Sequence, residues 1–291
     1  MRIVYHLGAH CTDDERLIRC LWKNRETLAA QGIVVPAPTR YRTLLRDTAV
    51  TLKGRAASRD TQAVVLDQIM DEAKADRLIL SWENFLSYPQ WVIRSGRLYP
   101  AAAERIRAFT QIFPEIEAEF HLAILNPASF LPALHARLRG KSMEEVLGGS
   151  DPRLLSWYKL VEQVRTINPE ANLTIWCDED TPLVWPEVLR AVSGHAPGTV
   201  LTDTDELLVE LMSPDGLERM RAYLAANPPA NTNQRRRIVS AFLDKFALTD
   251  QIDMELDLPG WDEDLIEDIT QTYVEDIARM RGLDGVTFLN P

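Results

Sequence analysis

The sequence predicts a three-layer α/β/α fold with a mainly parallel central sheet and an α-helical C-terminal part. Over residues 1–200, short apolar runs alternate with longer segments of helical periodicity. From about Asp203 onward the pattern is almost wholly helical. Strands that alternate with helices pair in parallel, because each connection crosses over the sheet. We therefore expect an α/β domain over residues 1–200 and a helical extension over residues 201–291 packed on it.

The chain opens with a predicted strand, turn and helix. Residues 2–7 form a β-branched run that ends at Gly8, and helical periodicity begins at Asp13. Gly32 is a typical helix stop, and residues 33–35 before Pro36 are typical of a short strand. These segments predict the first β-α unit.

The same alternation continues along the chain. Asn126 followed by Pro127 predicts a helix start, since Asn favours the cap and Pro the first helical position. The later predicted strands are 77–81, 120–125 and 173–177, and the predicted helices are 61–74, 101–113, 214–226, 232–247 and 262–281.

Charge and cysteine content exclude several classes of partner. The formal net charge of -11 would repel nucleic acid and anionic lipid. The sequence has no secretion signal, and no run approaches the roughly 18 to 20 apolar residues of a membrane span. The three cysteines Cys11, Cys20 and Cys177 show no framework spacing, so we expect free thiols in a cytoplasmic protein. Nucleic acid and membrane are not expected as partners.

The first turn carries the most specific motif. The run His6-Leu7-Gly8-Ala9-His10-Cys11-Thr12 resembles the opening of bacterial sulfotransferase-family proteins. The predicted helix after this run and the later residues Gly32, Ile33 and Pro36 resemble the same part of the family. The resemblance covers residues 1 to about 190 and implies a P-loop NTPase/sulfotransferase-like fold. In the family, a Lys-Thr-Gly-Thr-Thr-like loop cradles the 5′ phosphosulfate of PAPS, the sulfuryl donor.

This chain departs from the family at the donor-binding positions. His6, Gly8, His10 and Thr12 match, but Cys11 stands at the Lys position and Asp13 at the Gly position. Further along, Leu125 and Ala133 stand where the family has the Arg and Ser that hold the 3′ phosphate. Each charge-assisted hydrogen bond that is lost removes about 1.5 to 3 kcal/mol of binding free energy. We therefore expect no PAPS and no other cofactor.

Acidic residues follow two predicted strands. Asp13, Asp14 and Glu15 follow the first strand, and Asp178, Glu179 and Asp180 follow the strand 173–177. Both groups should meet at the carboxyl edge of the sheet, where such folds bind ligands. The simpler interpretation of Asp13 to Glu15 is helix capping; the functional one is a hard cation or a cationic substrate such as an amine.

Several residues are candidates for chemistry at this edge. His10 and Glu83 are the predicted catalytic groups, since a carboxylate at a strand end can act as a general base; a cap or turn bond is the commoner use of Glu83. His6, His10, Cys11 and Cys177 offer zinc ligands, although packed histidines are the alternative. Acidic neighbours oppose an activated Cys11 thiolate. The predicted ligand cleft comprises His6, Gly8, Cys11, Thr12, Asp13, Asp14, Ser81, Asn126, Asp178 and Glu179, with no metal.

The leading functional hypothesis is a sulfotransferase-like protein that has lost PAPS binding and is non-catalytic or binds another small molecule. One alternative is an active sulfotransferase acting on a small-molecule or carbohydrate acceptor, with Arg235, Arg236 and Arg237 replacing lost phosphate contacts. In the leading hypothesis this triplet pairs with surface acids. The second alternative is a metal-dependent hydrolase at the acidic rim.

Overall fold

The computed structural model describes residues 1–248 and 260–291, and a parallel sheet lies at its centre. The strands of this part of the chain are β1 (Arg2–His6), β2 (Ile33–Val34), β3 (Arg77–Ser81), β4 (Ile93–Arg94), β5 (Arg97–Leu98), β6 (Glu117–Ile124), β7 (Asn172–Cys177) and β8 (Val286–Leu289). Within the described residues, six of them form one sheet in the order β2-β3-β1-β6-β7-β8, and every ladder in it is parallel. The predicted mainly parallel sheet is confirmed.

Helices cover both faces of this sheet. They are α1 (Arg16–Lys23), α2 (Arg25–Ala29), α3 (Pro38–Leu52), α4 (Arg59–Ile69), α5 (Ala102–Thr110), α6 (Pro127–Arg137), α7 (Met143–Leu147), α8 (Trp157–Ile167), α9 (Thr181–Ser193), α10 (Glu206–Leu211), α11 (Pro214–Ala226), α12 (Thr232–Phe246) and α13 (Glu263–Met280). The small antiparallel hairpin of β4 and β5 lies outside the main sheet.

Alternation along the strands builds the two cores. Tyr5 and Phe120 point to the face that packs against α3, α5, α8 and α13. Val4 and Trp176 point to the opposite face, against α1, α2 and α9. Successive strand side chains face opposite sides, so a sheet buried on both faces favours apolar residues at consecutive positions. This arrangement confirms the three-layer α/β/α class.

A smaller core joins α10, α11 and α12. Its buried residues are Leu208, Met212, Leu217, Met220 and Val239, and Leu183 of α9 packs against them. None of the helices in the described part of the chain is long and apolar enough to span a bilayer.

The first helix begins later than predicted. α1 starts at Arg16 instead of Asp13, because Asp14 (φ 44°) and Glu15 (φ 65°) are left-handed and cannot continue a right-handed helix. The sequence analysis also missed α3, in which Tyr41 and Leu45 are the buried residues. Such a narrow apolar stripe produces only a weak helical pattern.

The C-terminal part is helical as predicted, except for β8. This strand pairs in parallel with β7, and α13 packs through Ile269 and Tyr273 into the same core as Tyr5. A four-residue strand at the sheet edge, mostly half-buried, carries too little alternation to be recognised in the sequence. The division of the chain at residue 200 stays a prediction.

Candidate functional site

The candidate site lies where the strand order reverses. The chain leaves β1 toward β2 on one side, whereas β6 leads to β7 on the other side. The carboxyl ends of β1 and β6 are therefore the topological switch point, the usual ligand position in open α/β sheets. The loop between β1 and α1, residues 7–15, begins at this edge.

Left-handed backbone shapes the β1–α1 loop. Gly8 has φ 51° and Cys11 has φ 65°. A Cβ added at Gly8 would lie 3.7 Å from Cε1 of His6 and 3.9 Å from Cα of Glu83. Gly8 therefore allows the loop to pack over the His6 ring and beside the end of β3.

His10 fastens this loop to the rest of the protein. Its backbone N–H donates to the Tyr99 hydroxyl at 3.0 Å, and its Nδ1 lies 2.9 Å from the same oxygen. We orient the Asn84 amide so that its nitrogen donates to His10 Nε2 at 3.1 Å and to the Ser87 carbonyl, while its oxygen accepts from Trp82 Nε1. His10 is fully buried, and burial lowers its pKa. Its predicted catalytic role stays a prediction, and its contacts are those of a loop anchor.

Glu83 is more accessible and is paired with an arginine. Its Oε1 accepts from Nη2 of Arg137 at 2.5 Å, and the two side chains are 29% and 35% exposed. The Arg137 guanidinium also lies beside the Cys11 thiol. Burial raises the pKa of Cys11 to about 11, and Arg137 only partly opposes it. The thiol is therefore neutral near pH 7, mainly because of burial and only secondarily because of the acidic neighbours.

The acids of the loop are held by local partners. Asp13 Oδ1 accepts from the Leu17 N–H at 3.0 Å. Asp13 therefore caps α1, in agreement with the helix-capping interpretation of the sequence. Glu15 makes no capping bond and pairs with Arg42 at 2.6 Å. Asp14 Oδ2 lies 3.9 Å from Nη2 of Arg16. Capping thus explains Asp13 but not the two residues after it.

The hydroxyl and the amides of the loop differ in their bonding. Thr12 is buried, and its Oγ1 donates to the Ala9 carbonyl at 2.7 Å. The backbone N–H groups of seven loop residues find no acceptor among the described residues: Gly8, Ala9, Cys11, Thr12, Asp13, Asp14 and Glu15.

His6 lies directly beneath the loop. Its Nδ1 is 2.9 Å from Ser81 Oγ, its ring stacks on Trp176 at a centroid distance of 6.0 Å, and its Nε2 has no partner in the described structure. His6 is 2% exposed and lies opposite His121 across β1 and β6. Burial, with a smaller effect from His121, lowers the pKa of His6 to about 3. The ring is therefore neutral near pH 7.

The acids after β7 have different hydrogen-bond partners from those of the loop, although Asp178 lies near Asp13. Glu179 accepts from the Asn126 N–H at 2.6 Å and from the Tyr273 hydroxyl at 3.1 Å. Asp178 accepts from Thr181 Oγ1 at 3.1 Å. Burial, followed by the nearby Asp13 carboxyl, raises the pKa of Asp178 to about 8; burial also raises the pKa of Asp13 to about 6. The acidic rim is thus divided into separate hydrogen-bond networks.

The side chains considered as an alternative set of zinc ligands contact different partners. His6 contacts Ser81, His10 contacts Tyr99 and Asn84, and Cys177 lies against Tyr273. Residues 1–248 and 260–291 contain no group of three His, Cys, Asp or Glu side chains placed to hold a metal ion. The three cysteines are free thiols.

Sequence reasoning missed the partners that come from distant elements. Tyr99 follows the β4–β5 hairpin, Arg137 is the last residue of α6, and Tyr273 lies on α13. None of the three belongs to a motif near a strand end. Only tertiary packing brings them close to the site residues. Arg236 pairs with Glu187 at 2.8 Å, as expected for a residue of the arginine triplet.

Comparisons with known proteins give little further information. No family model matches the chain. No curated protein matches it. Among solved structures, the chain is similar to one described as the crystal structure of a sulfotransferase from Alicyclobacillus acidocaldarius, with 13% identity and a TM-score of 0.36. The alignment covers 90% of this chain and 98% of that one.

Proposed function

We propose that this chain is a sulfotransferase-like protein that binds a small polar molecule at the carboxyl edge of its sheet and does not use PAPS. One observation carries the proposal: the side chains of the β1–α1 loop are not available to hold a phosphosulfate. The Thr12 hydroxyl donates to Ala9, and the Asp13 carboxylate occupies the Leu17 amide. A neutral Cys11 thiol stands where the resembled family has a lysine.

Electrostatics supports the same proposal. The guanidinium beside Cys11, that of Arg137, is already paired with Glu83, so it does not replace the missing lysine. Two like charges 4 Å apart repel by about 1 kcal/mol in water and by about 4 kcal/mol near a protein surface. A nucleotide with several phosphates would meet this repulsion from Asp14 and Glu15.

Calorimetry with PAP, the desulfated donor nucleotide, tests this proposal. The titration is made at low salt, where electrostatic attraction is least screened. We expect no detectable heat of binding and no competition. Micromolar binding of PAP to the wild-type protein would contradict the proposal.

A reversion variant tests whether the changed donor-binding residues explain the expected lack of PAP binding. The triple change Cys11→Lys, Asp13→Gly and Leu125→Arg restores the residue types of the resembled family at three positions. If those losses disabled an otherwise intact site, this variant gains PAP binding. The matched control carries the same change in charge on exposed positions, Val50→Lys, Val64→Arg and Asp71→Gly, and should gain none. Equal gains in both variants would show nonspecific attraction only.

One observation favours an active transferase as the second candidate. Glu83 is partly exposed at the end of β3 and close to the Gly8 backbone, where a carboxylate could accept a proton from an acceptor hydroxyl. This candidate requires PAP binding by the wild-type protein. It also requires that Glu83→Gln abolish sulfuryl transfer while leaving PAP affinity unchanged.

A further inference from the structure

A groove lies between the β4–β5 hairpin and α8. Its volume is about 440 Å³, within the range of roughly 300 to 1,000 Å³ that is typical of small-molecule sites. Leu98 of β5 and Leu160 of α8 line it and are buried, and the half-buried Ile167 lines it at the end of α8. The groove therefore has an apolar floor formed by these three residues.

Two cations at this groove have no acidic partner. Arg97 of β5 and Lys159 of α8 line the groove and are exposed. Neither has a carboxylate oxygen within 4 Å among the described residues. The acid that lines the groove, Glu162, accepts instead from the Tyr158 hydroxyl at 2.6 Å. Two cations and one carboxylate leave a positive balance here, although the whole protein has a net charge of -11.

The hairpin holds Arg97 in a position that is unfavourable without an anion. Arg94 and Arg97 lie directly opposite each other across β4 and β5. Like charges at opposite positions destabilise a pair of strands. The turn between them is fixed, because the Gly96 N–H donates to Ser150 Oγ at 3.0 Å. Arg94 lies over the Trp91 ring at 5.8 Å, so Arg97 is the arginine that a ligand in this groove would meet.

An amide in the groove is also without a partner. The side chain of Gln163 is half-buried and makes no hydrogen bond within the described part of the chain. Gln163 lies four residues after Lys159 and four before Ile167, so the three side chains share one face of α8. Along this face a cation, an amide and an apolar side chain follow one another. This order is complementary to an amphipathic molecule with an anionic head.

We propose that this groove binds a small amphipathic anion, with its carboxylate at Arg97 and Lys159, a hydrogen bond from Gln163 and its apolar body on the floor. The charges exclude a cationic amphiphile, and the apolar floor favours a ligand with a hydrocarbon chain over a fully polar anion. The inference goes beyond the proposed function, because the groove uses other residues than the β1–α1 loop. Its test is independent of the titration with PAP.

Nuclear magnetic resonance with octanoate as the probe tests the inference. Sodium octanoate is titrated into ²H,¹⁵N-labelled wild-type protein at constant ionic strength. We expect saturable shifts in the amides of Gly96, Leu98 and Lys159 and in the side-chain amide of Gln163, with a Kd on the order of 1 mM. Octylammonium has the same chain and the opposite charge, and should produce no saturable shifts at these positions. Absence of saturable octanoate shifts, or equal binding of octylammonium, would overturn the inference.

Hexanoate tests the role of the apolar floor. It has the same carboxylate as octanoate and two methylene groups fewer. Two buried methylene groups correspond to about a tenfold difference in affinity, so we expect octanoate to bind about tenfold more tightly than hexanoate. Equal affinities of the two anions would show that the chain does not lie on the floor, and the inference would be wrong.

The double variant Arg97→Gln, Lys159→Gln tests the anionic head. Both side chains are exposed, and the loss of Arg97 also removes its repulsion with Arg94, so we expect this variant to fold. An exposed ion pair contributes up to about fivefold in affinity, and we expect about a tenfold loss for the two together. The matched control Lys74→Gln, Arg139→Gln removes two other exposed cations and should bind octanoate like the wild type. Equal losses in both variants would mean nonspecific attraction and would contradict the proposed site.

Discussion

Tyr99 shows how one side chain fixes the position of the candidate site. Its hydroxyl oxygen accepts from both the backbone N–H and the ring of His10, and the residue is fully buried. Its backbone is left-handed, with φ 46°, immediately after the β4–β5 hairpin. Such a conformation costs free energy in a residue other than glycine and persists only where the surrounding contacts compensate. Tyr99 thus connects the hairpin to the β1–α1 loop.

Replacing Tyr99 with phenylalanine tests this connection. The change leaves two buried donors of His10 without an acceptor, so we expect the free energy of unfolding to fall by about 1 to 3 kcal/mol. Urea unfolding measures it. The control is Tyr158→Phe, which removes a hydroxyl bonded to Glu162 at a site where water can replace it. Losses of equal size in the two variants would contradict the special role of Tyr99.

At the scale of elements, α13 closes the side of the site next to β6 and β7. Its Thr270 accepts from the Asn126 side chain, and its Tyr273 donates to Glu179. Asp276 of the same helix accepts from Ser156 Oγ at 2.9 Å and from the Tyr158 N–H at 3.1 Å. Asp276 is 3% exposed. A side chain of α13 therefore caps the buried N-terminus of α8.

The variant Asp276→Ala should therefore be strongly destabilised. It leaves a buried hydroxyl and a helix N-terminal amide without a partner, and we expect a loss of about 2 to 4 kcal/mol in the free energy of unfolding. The exposed cap Asp151, which accepts from the Arg153 N–H, provides the control. Asp151→Ala should cost about 1 kcal/mol or less, since water satisfies its partner. A small effect at Asp276, measured by urea unfolding, would mean that α13 is held by its apolar face alone.

For the molecule as a whole, buried titrating groups set the dependence of stability on pH. The pKa values of His6, His10, His121 and His195 are lowered by burial, so these residues destabilise the fold only below their ordinary pKa of 6.5. Asp178 acts in the opposite direction. Its pKa is about 8 in the fold and 3.8 in the unfolded chain, so the folded state binds the extra proton between these values.

The sign of this linkage predicts that stability falls as pH rises from 6.5 to about 8. One extra bound proton corresponds to about 1.4 kcal/mol per pH unit. Urea midpoints at the two ends of this window measure the effect. In Asp178→Asn the dependence should be much weaker. Constant or rising stability of the wild-type protein across the window would contradict the role of Asp178.

The sequence by itself determined the alternation of elements and hence the class of fold. β-branched and apolar runs before Gly8 and before Asn126 were sufficient to predict strands followed by turns, because these signals are local. They also placed His6, Glu83 and Asp178 near one edge of the sheet. Weak or short patterns failed: α3 buries few residues, and β8 is a short edge strand.

Only the tertiary structure decided which of these residues meet. Arg137 reaches Glu83 across 54 residues, and Tyr99 reaches His10 across 89 residues. Local propensity carries no information on such contacts, since they depend on where whole helices and hairpins pack. Burial also depends on tertiary packing, and it keeps the Cys11 thiol and the His6 ring neutral near pH 7. Sequence specified the residue types at the edge, and packing determined their partners and charges.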